Sequence, residues 1–265
     1  MRYAKKSLGQ NFLIDTNIIK KIIHLTDIFD KDILEIGPGK GALTDEILRY
    51  NPRSLTLIEK DKPLSDKLKF KYYNNKKVII YNEDILKFNF ETIIKRNTII
   101  FGNLPYNIAS QILATIIRFK KWPPKYLCLI LMFQKEMADR IIGKYGTSKY
   151  GRLSILTNYR LNIQNKFNVS PNCFSPKPKI NSTVLFLKPN FEVKCQIKNI
   201  ENLEKITHIF FSNKRKMINK SFSKLFKNPD SVSQKLNINL SLRPNQLNQE
   251  DFYKIVKYYE KYKKI

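Results

Sequence analysis

Residues 103–106 carry the groups in this chain that are best suited to chemistry. Asn103 supplies a side-chain amide, Leu104 a carbonyl that the following proline leaves without a helical partner, and Tyr106 a phenol. The Asn103 and Leu104 oxygens can accept N–H bonds from an exocyclic amine, and the Tyr106 ring can lie against a flat heterocycle. The stretch therefore fits a site for a base that carries an amino group. Asn and Pro also favour ordinary turns, so a plain strand-to-helix connection is the alternative.

A parallel sheet must position this stretch, because strand-like and helical patterns alternate along the chain. Residues 98–101 are short, apolar and β-branched, as expected of a buried strand. The five strand-like runs are 32–36, 54–58, 78–81, 98–101 and 126–133, and helical patterns lie near 43–50, 63–73, 85–96 and 110–119. Such alternation predicts a parallel sheet with helices on both faces and a ligand at the carboxyl ends of the strands.

Polar residues follow the first three predicted strands. After the first, Gly37 and Gly39 let the backbone turn tightly and let a ligand approach without a Cβ in the way. After the second, Glu59 can accept bonds from both hydroxyls of a ribose. After the third, Asp84 can accept a bond from an adenine amino group. These strand ends predict a nucleoside site beside residues 103–106.

The glycine loop alone is ambiguous. Gly37-x-Gly39-x-x-Ala42, with an acidic residue twenty positions after Gly39, also fits a dinucleotide fold. Three features favour a methyltransferase instead. Glu35 lies two positions before the first glycine, as in methyltransferases, and no second βαβαβ half with its own catalytic pair follows. A dehydrogenase also has no use for residues 103–106.

The charge of the chain indicates a polyanionic partner. Lys and Arg number 49 against 22 Asp and Glu, a net charge of +27, which favours nucleic acid over an anionic membrane surface. A lysine-rich composition can also arise in an AT-rich genome, but that does not readily explain why acidic residues are scarce. The sequence therefore predicts a nucleic-acid-binding protein.

The C-terminal region has a helical pattern only, from about residue 201. Drawn on one continuous helix, its apolar residues share a face made of Phe211, Ile218, Phe222 and Leu225. The candidate phosphate-binding residues are Lys214, Arg215, Lys216, Lys220 and Lys224. A solvated charged face is the alternative for these cations. We predict two domains, residues 1–188 with the sheet and residues 189–265 with the helices.

Composition also excludes several classes of site. The 3 cysteines and 2 histidines are scattered, so the sequence predicts neither a metal site nor a disulfide framework. Free thiols indicate a reducing, cytoplasmic setting. No segment approaches the length of a membrane span, and no apolar signal core lies near the N-terminus.

Two further stretches are ambiguous from local sequence. Residues 10–13 can fold over a ligand, or they can simply lead into a helix that Asp15 caps. Phe174 lies on a loop that prolines stiffen, and it can stack on a base flipped out of its helix. Burial of Phe174 in the core beneath the loop is the alternative.

Taken together, the motifs of this chain resemble those of one enzyme family. The resemblance rests on residues 9–13, 35–39, Glu59, Asp84, 102–108, 134–136, 150–154, 174–179 and 213–216. With these stretches in this order, the chain resembles the ribosomal RNA adenine N6-dimethyltransferases, and more closely their small-subunit (16S) branch. Single motifs are weakly specific, whereas the ordered set is very specific.

The resemblance implies an S-adenosylmethionine-dependent enzyme with the Rossmann-like class I methyltransferase fold. That fold is α/β, with a mostly parallel seven-stranded sheet and a small all-helical C-terminal domain. The implied activity is N6,N6-dimethylation of two adjacent adenosines near the 3′ end of 16S rRNA in the small ribosomal subunit, by a monomer with a role in subunit biogenesis. The implied cofactor residues are Asn11, Leu13, Gly37, Glu59, Asp84 and Asn103, and the implied catalytic residues are Asn103, Leu104, Tyr106 and Phe174.

Two alternatives accompany this resemblance. A sister enzyme that acts on large-subunit rRNA shares the cofactor core, but its members more often carry Ile in place of Leu104 and lack the stretch at 150–154. A non-catalytic ribosome assembly factor could keep the same fold. The intact Glu59, Asp84 and residues 103–106 argue against a loss of catalysis.

Overall fold

The computed structural model describes residues 10–262. Gly9, the first residue of one motif, and residues 263–265 of the predicted helical domain lie outside the described residues. The strands are β1 (Phe12–Leu13), β2 (Asp32–Ile36), β3 (Ser54–Ile58), β4 (Val78–Tyr81), β5 (Thr98–Asn103), β6 (Tyr126–Gln134), β7 (Leu161–Val169), β8 (Phe174–Ser175) and β9 (Ser182–Pro189).

The helices alternate with these strands and then continue alone to the C-terminus. They are α1 (Thr16–Ile23), α2 (Ala42–Arg49), α3 (Lys62–Lys71), α4 (Ala109–Ile117), α5 (Lys135–Ile141), α6 (Arg152–Arg160), α7 (Ile200–Phe211), α8 (Asn219–Ser223), α9 (Pro229–Leu236) and α10 (Gln249–Tyr262). The predicted cap of α1 is present, because the Asp15 carboxylate accepts the Ile18 N–H over 3.0 Å. None of the helices between residues 10 and 262 has the length and hydropathy of a membrane span.

Seven of the strands form one sheet in the order β4-β3-β2-β5-β6-β9-β7. The pairs from β4 to β6 are parallel, and β9 joins β6 antiparallel. All five residues of β2 are buried, and because neighbouring residues face opposite sides, both faces of the sheet are covered there. The predicted mostly parallel sheet is confirmed. Its geometry brings the loops after β2, β3, β4 and β5 to one edge.

The described chain divides into two compact units. The first contains residues 10–138 and 162–189, and the second contains residues 139–161 and 190–262. The predicted boundary after residue 188 lies within one residue of the division at 189, but it assigns residues 139–161 to the first domain. These residues belong to the second unit because α6 packs on α7, and because the Tyr253 hydroxyl donates to the Ile155 carbonyl over 3.2 Å.

The helix predicted near residues 85–96 is absent. A short 3-10 helix, Phe90–Ile93, takes its place. The Asp84 carboxylate accepts the Leu86 N–H over 3.1 Å and so stabilises a turn at the start of this segment. Phe90 is buried. The apolar residues of this segment, whose spacing is typical of a helix, therefore pack a turn against the core.

The single helix drawn through residues 211–225 is also wrong. α7 ends at Phe211, and α8 begins only at Asn219. Between them the chain turns, and the Ile218 N–H donates to the Leu242 carbonyl over 2.8 Å rather than to a helical partner. Ile218 and Phe222 are nevertheless fully buried, whereas Phe211 and Leu225, the other two residues of the predicted apolar face, are only partly buried.

Candidate active site

The loop between β2 and α2 supplies backbone to the site. Gly37 and Gly39 have positive φ angles of +67° and +59°, a region that residues with side chains rarely adopt. A Cβ on Gly39 would lie 2.8 Å from the Phe12 ring, so the loop has no room for a side chain at that position. The Gly39 N–H donates to the Glu59 carboxylate over 3.0 Å. The loop is thereby tied to the end of the neighbouring strand.

Glu59 follows β3, and main-chain donors hold its carboxylate. Oε2 accepts the Gly39 N–H over 3.0 Å, and Oε1 accepts the Asp61 N–H over 2.8 Å. The residue is 7% exposed, and this burial raises the pKa of the Glu59 carboxyl, although both N–H bonds oppose the rise. Each carboxylate oxygen keeps a further lone pair. Glu59 can therefore still accept the two hydroxyls of a ribose.

Asp84 follows β4 and forms an ion pair. Its Oδ2 lies 2.8 Å from the Lys60 ammonium, and its Oδ1 accepts the Leu86 N–H over 3.1 Å. The hydrogen bond from Lys60 lowers the pKa of the Asp84 carboxyl below its usual value. Asp84 is consequently ionised at neutral pH, which suits an acceptor for an amino group.

Glu35 lies in β2 on the wall of the same cavity and is 2% exposed. The Thr44 hydroxyl donates to its Oε2 over 2.7 Å. Burial raises the pKa of the Glu35 carboxyl to about 8, and the nearby charge of Glu59 adds to the rise. Glu35 is thus a largely neutral carboxylic acid at pH 7.

Residues 10–13 cross the ends of the sheet strands. β1 pairs antiparallel with β8, with Leu13 opposite Phe174. The Gln10 amide donates to the Asp61 carboxylate over 3.0 Å, and the Asn103 amide nitrogen donates to the Asn11 carbonyl over 3.1 Å. The segment lines the cavity, so it does more than lead into α1.

The turn after β5 presents acceptors and an aromatic ring. The Asn103 amide nitrogen donates one of its two N–H groups to Asn11, which orients the amide, and Oδ1 is the acceptor of the side chain. Leu104 is 1% exposed, and its carbonyl accepts no main-chain hydrogen bond within residues 10–262. The Tyr106 hydroxyl shares a 2.6 Å hydrogen bond with the Ser182 hydroxyl, and burial raises the pKa of this phenol.

One cavity of about 400 Å³ brings these groups together. Its volume falls in the range of small-molecule sites. The sequence-predicted residues on its wall are Asn11, Leu13, Gly37, Glu59, Asp84, Asn103, Leu104 and Tyr106. The strand ends therefore meet as the sequence predicts.

Phe174 does not lie on this cavity. It is 3% exposed and packs in the hydrophobic core of the first unit with Leu13. The pairing of β8 with β1 fixes this orientation, because Phe174 and Ser175 must face opposite sides of the strand and Ser175 takes the exposed side. The buried alternative for Phe174 is therefore the one that the structure adopts, and the predicted stacking position is not formed.

The basic candidates lie in the second unit, and all of them are exposed. Lys214, Arg215 and Lys216 occupy the turn between α7 and α8, Lys220 lies in α8, and Lys224 follows it. No acidic side chain within the described residues forms an ion pair with any of these five cations. Their charges are free to meet a polyanion.

Sequence reasoning missed the partners that hold the site residues. Ser182 fixes Tyr106, Lys60 pairs with Asp84, and Gln10 binds Asp61. Ser182 is the polar first residue of a strand with an apolar centre, and Lys60 directly follows Glu59, so weak signals existed for both. In the described part of the chain, no three His, Cys, Asp or Glu side chains cluster so that they could hold a metal ion.

The fold and the site define a methyltransferase of the class I fold. A dimethyladenosine transferase from Plasmodium falciparum has a similar crystal structure, with a TM-score of 0.79 and 26% identity over 94% of this chain and 98% of that one. The 23S rRNA methyltransferase ErmE shares the fold, with a TM-score of 0.69 and 21% identity over 94% of this chain and 100% of that one.

Sequence comparisons identify the family. The model of the ribosomal RNA adenine dimethylase family matches residues 1–261. The ribosomal RNA small subunit methyltransferase A of Pelagibacter ubique is 48% identical over 97% of both chains. The protein of that name from the Wolbachia of Drosophila simulans is 37% identical over 94% of this chain and 90% of its own. The chain belongs to the ribosomal RNA adenine dimethylase family.

Proposed function

We propose that the protein transfers methyl groups from S-adenosylmethionine to N6 of two adjacent adenosines near the 3′ end of 16S rRNA in the small ribosomal subunit, twice at each adenosine. The observation that carries this proposal is the orientation of Asn103. Its amide nitrogen donates one N–H group to Asn11, which orients the amide, and its oxygen and the Leu104 carbonyl are two acceptors beside one cavity. Two acceptors at one point match the two N–H groups of an adenine amine.

The residues of the cavity fit an adenosine-containing methyl donor. Glu59 can accept the ribose hydroxyls, Asp84 can accept from the adenine amino group, and the open backbone at Gly37 and Gly39 can lie against the amino acid portion. Asn11 and Leu13 cover the site from β1. The cofactor supplies a methyl group on a positively charged sulfur, which is a strong electrophile.

The protein's contribution to the reaction is orientation and hydrogen bonding. The lone pair of an adenine amine is delocalised into the ring, so the amine is a weak nucleophile. Acceptance of its N–H bonds by Asn103 and Leu104 pulls the nitrogen toward a tetrahedral geometry and returns electron density to it. Formation of the bond from N6 to the methyl carbon would go with breakage of the bond from sulfur to that carbon, so the positive charge passes to N6. The N6 proton then becomes acidic and is lost to water, so no strong base is required.

Tyr106 forms the wall for the substrate base in this proposal. Its ring is held by the Ser182 hydroxyl, and stacking of a base on such a ring is worth about 1–3 kcal/mol. Phe174 contributes indirectly, because its burial against Leu13 anchors the segment at 10–13 that covers the cavity. Phe174 is thus a positioning residue here rather than a second stacking ring.

The exposed cations of the second unit bind the rRNA phosphates in this proposal. They are Lys214, Arg215, Lys216, Lys220 and Lys224. The net charge of +27 supports the same partner. We take the enzyme to be a monomer in the cytoplasm, where it modifies the subunit during its biogenesis.

A methyl-transfer assay tests the substrate. Labelled S-adenosylmethionine is supplied with undermodified small subunits, with large subunits or with naked rRNA, and the labelled nucleoside is identified. We expect N6,N6-dimethyladenosine in the small-subunit sample. Label in large-subunit RNA instead would assign the protein to the sister activity, and no label in any sample would point to a non-catalytic assembly factor.

A further inference from the structure

Two aromatic side chains stand almost fully in solvent at the end of α3. Phe70 is 88% exposed and Tyr73 is 85% exposed. Neither ring forms an aromatic pair or receives a cation from the residues that the structure describes. Single exposed apolar residues are common on proteins, but two bare rings three positions apart form a patch.

The backbone beneath these rings is firmly held. Leu68 and Tyr72 alternate with them, are buried, and join the core of the first unit. The Tyr72 hydroxyl also donates to the Asp45 carboxylate over 2.8 Å. Because these anchors face inward, Phe70 and Tyr73 must face outward. Rigid support of this kind lowers the entropy cost of binding at the exposed rings.

Cations surround the rings. Residues 67–77 contain no acidic residue, and their lysines are Lys67, Lys69, Lys71, Lys76 and Lys77. Lys71 pairs with Asp45, and Lys77 bonds the Asn51 side chain. The other three are exposed and make no ion pair or side-chain hydrogen bond to any residue between 10 and 262.

This patch is remote from the candidate active site. α3 begins directly after Asp61, near the cavity, and runs for 10 residues, which carries its far end about 15 Å away. Residues 70–77 line a shallow groove there and lead into the amino end of β4. The patch therefore lies toward the opposite end of the strands from the cavity, and neither the cofactor site nor the basic turn after α7 includes it.

We propose that this patch is a second RNA-binding surface, on which unpaired bases stack on Phe70 and Tyr73 while Lys67, Lys69 and Lys76 contact phosphates. Two features of the patch fit single-stranded RNA. The exposed rings can stack on its unpaired bases, and the unpaired lysines complement the charge of its phosphates. Addition of a strand at the neighbouring edge strand β4 is disfavoured by the lysines that precede it. The inference rests on the proposed function only in taking rRNA as the polymer bound.

Tryptophan substitutions test the stacking directly. Phe70→Trp and Tyr73→Trp keep an aromatic ring in place, and Phe29→Trp is the matched control, because Phe29 is also exposed but lies between Asp27 and Asp30. Each variant is titrated with a single-stranded RNA of about twelve mixed nucleotides. We expect quenching of the new tryptophan at positions 70 and 73, and none at 29.

Binding measurements with alanine variants complete the test. Each of Phe70→Ala and Tyr73→Ala should weaken binding of the same RNA by about 5-fold to 150-fold, the equivalent of one stacked base, whereas Phe29→Ala should leave it unchanged. The rings are exposed, so folding should be intact by thermal melting. Equal binding of duplex RNA, or equal quenching by heparin, would overturn the stacking proposal in favour of simple charge attraction.

Other partners give different results. Quenching of the tryptophan fluorescence by anionic phospholipid vesicles but not by RNA would overturn the proposal. So would quenching that accompanies self-association of the protein, which sedimentation detects. Methyl transfer by the wild-type enzyme without quenching at position 70 would overturn it and leave the proposed function intact. Quenching without methyl transfer would support this surface and contradict the proposed function.

Discussion

Asn103 and Asn11 lie 92 residues apart in the sequence, and the side-chain amide of the first donates to the main-chain carbonyl of the second over 3.1 Å. This bond joins the turn after β5 to the segment that covers the cavity. It also fixes the orientation of the Asn103 amide, because the nitrogen donates one of its two N–H groups to Asn11 and the oxygen remains an acceptor. The same contact thus links the segment at 10–13, which lines the cavity, to the orientation of the proposed substrate acceptor.

Tyr106 should act mainly through its ring. Tyr106→Phe loses the hydrogen bond to Ser182, and we expect a fewfold loss of kcat/KM, comparable to the loss in Ser182→Ala. Tyr106→Ala should lose the stacking energy as well, about 1–3 kcal/mol, and so reduce kcat/KM by a further 5-fold to 150-fold. Steady-state kinetics with small subunits measure both effects. Equal activity of the Phe and Ala variants would contradict a stacking role.

Glu59 should set the affinity for the methyl donor. Glu59→Gln removes the negative charge that accepts hydrogen bonds, and a bond to a charged group is worth about 1.5–3 kcal/mol, so S-adenosylmethionine should bind at least about 10-fold more weakly. Isothermal titration calorimetry measures the change. The control is Glu201→Gln, an exposed glutamate at the start of α7 in the second unit. If both variants bind the cofactor like the wild type, Glu59 does not hold the ribose.

Gly39 should be more sensitive to substitution than Gly146. Both have positive φ, so alanine at either position strains the backbone by about 1–2 kcal/mol. A Cβ at position 39 also meets the Phe12 ring at 2.8 Å, whereas one at position 146 meets nothing within 4 Å. Gly39→Ala should therefore lower the melting temperature more than Gly146→Ala. Adding Phe12→Ala to Gly39→Ala should recover part of the difference, and no recovery would show that the ring is not the obstacle.

Glu35 should make stability depend on pH. Burial raises the pKa of this carboxyl from 4.5 to about 8 in the folded state, so the folded protein binds the proton more tightly than the unfolded chain does. The stability that comes from the protonated form is complete below about pH 4.5 and is lost as the pH rises through about 8. Glu35→Gln stays neutral and avoids that loss.

Thermal melting of Glu35→Gln and the wild type across this range checks the sign. The melting temperature of the variant, relative to that of the wild type, should rise between about pH 5 and about pH 9. Thr44→Ala is the control that removes the hydrogen bond to Glu35 without removing its titration. A difference between variant and wild type that is constant with pH would mean that Glu35 titrates normally.

The sequence predicts the strand ends well because their signals are local. Glu59 and Asp84 each directly follow or nearly follow an apolar run, and a parallel sheet brings all such ends to one edge. Phe174 could not be placed in this way, because the side that it faces depends on pairing with Leu13, which is distant in sequence. The ion pair of Lys60 with Asp84 could not be predicted either, because it joins residues on two different strand ends. The end of the helix at Phe211 was missed because a turn there overrides the local apolar periodicity.

Single-turnover methyl transfer by Asn103→Ala measures whether the Asn103 side chain promotes the chemical step. The control is Asn107→Ala, which removes an amide from the same cavity wall but keeps the Asn103 side chain that donates to Asn11. With undermodified small subunits, Asn103→Ala should slow the chemical step by about 100-fold or more, while its melting temperature and RNA affinity stay near those of the wild type. Methyl transfer at the wild-type rate by Asn103→Ala would contradict the proposed role of the Asn103 side chain as an acceptor for the adenine amine.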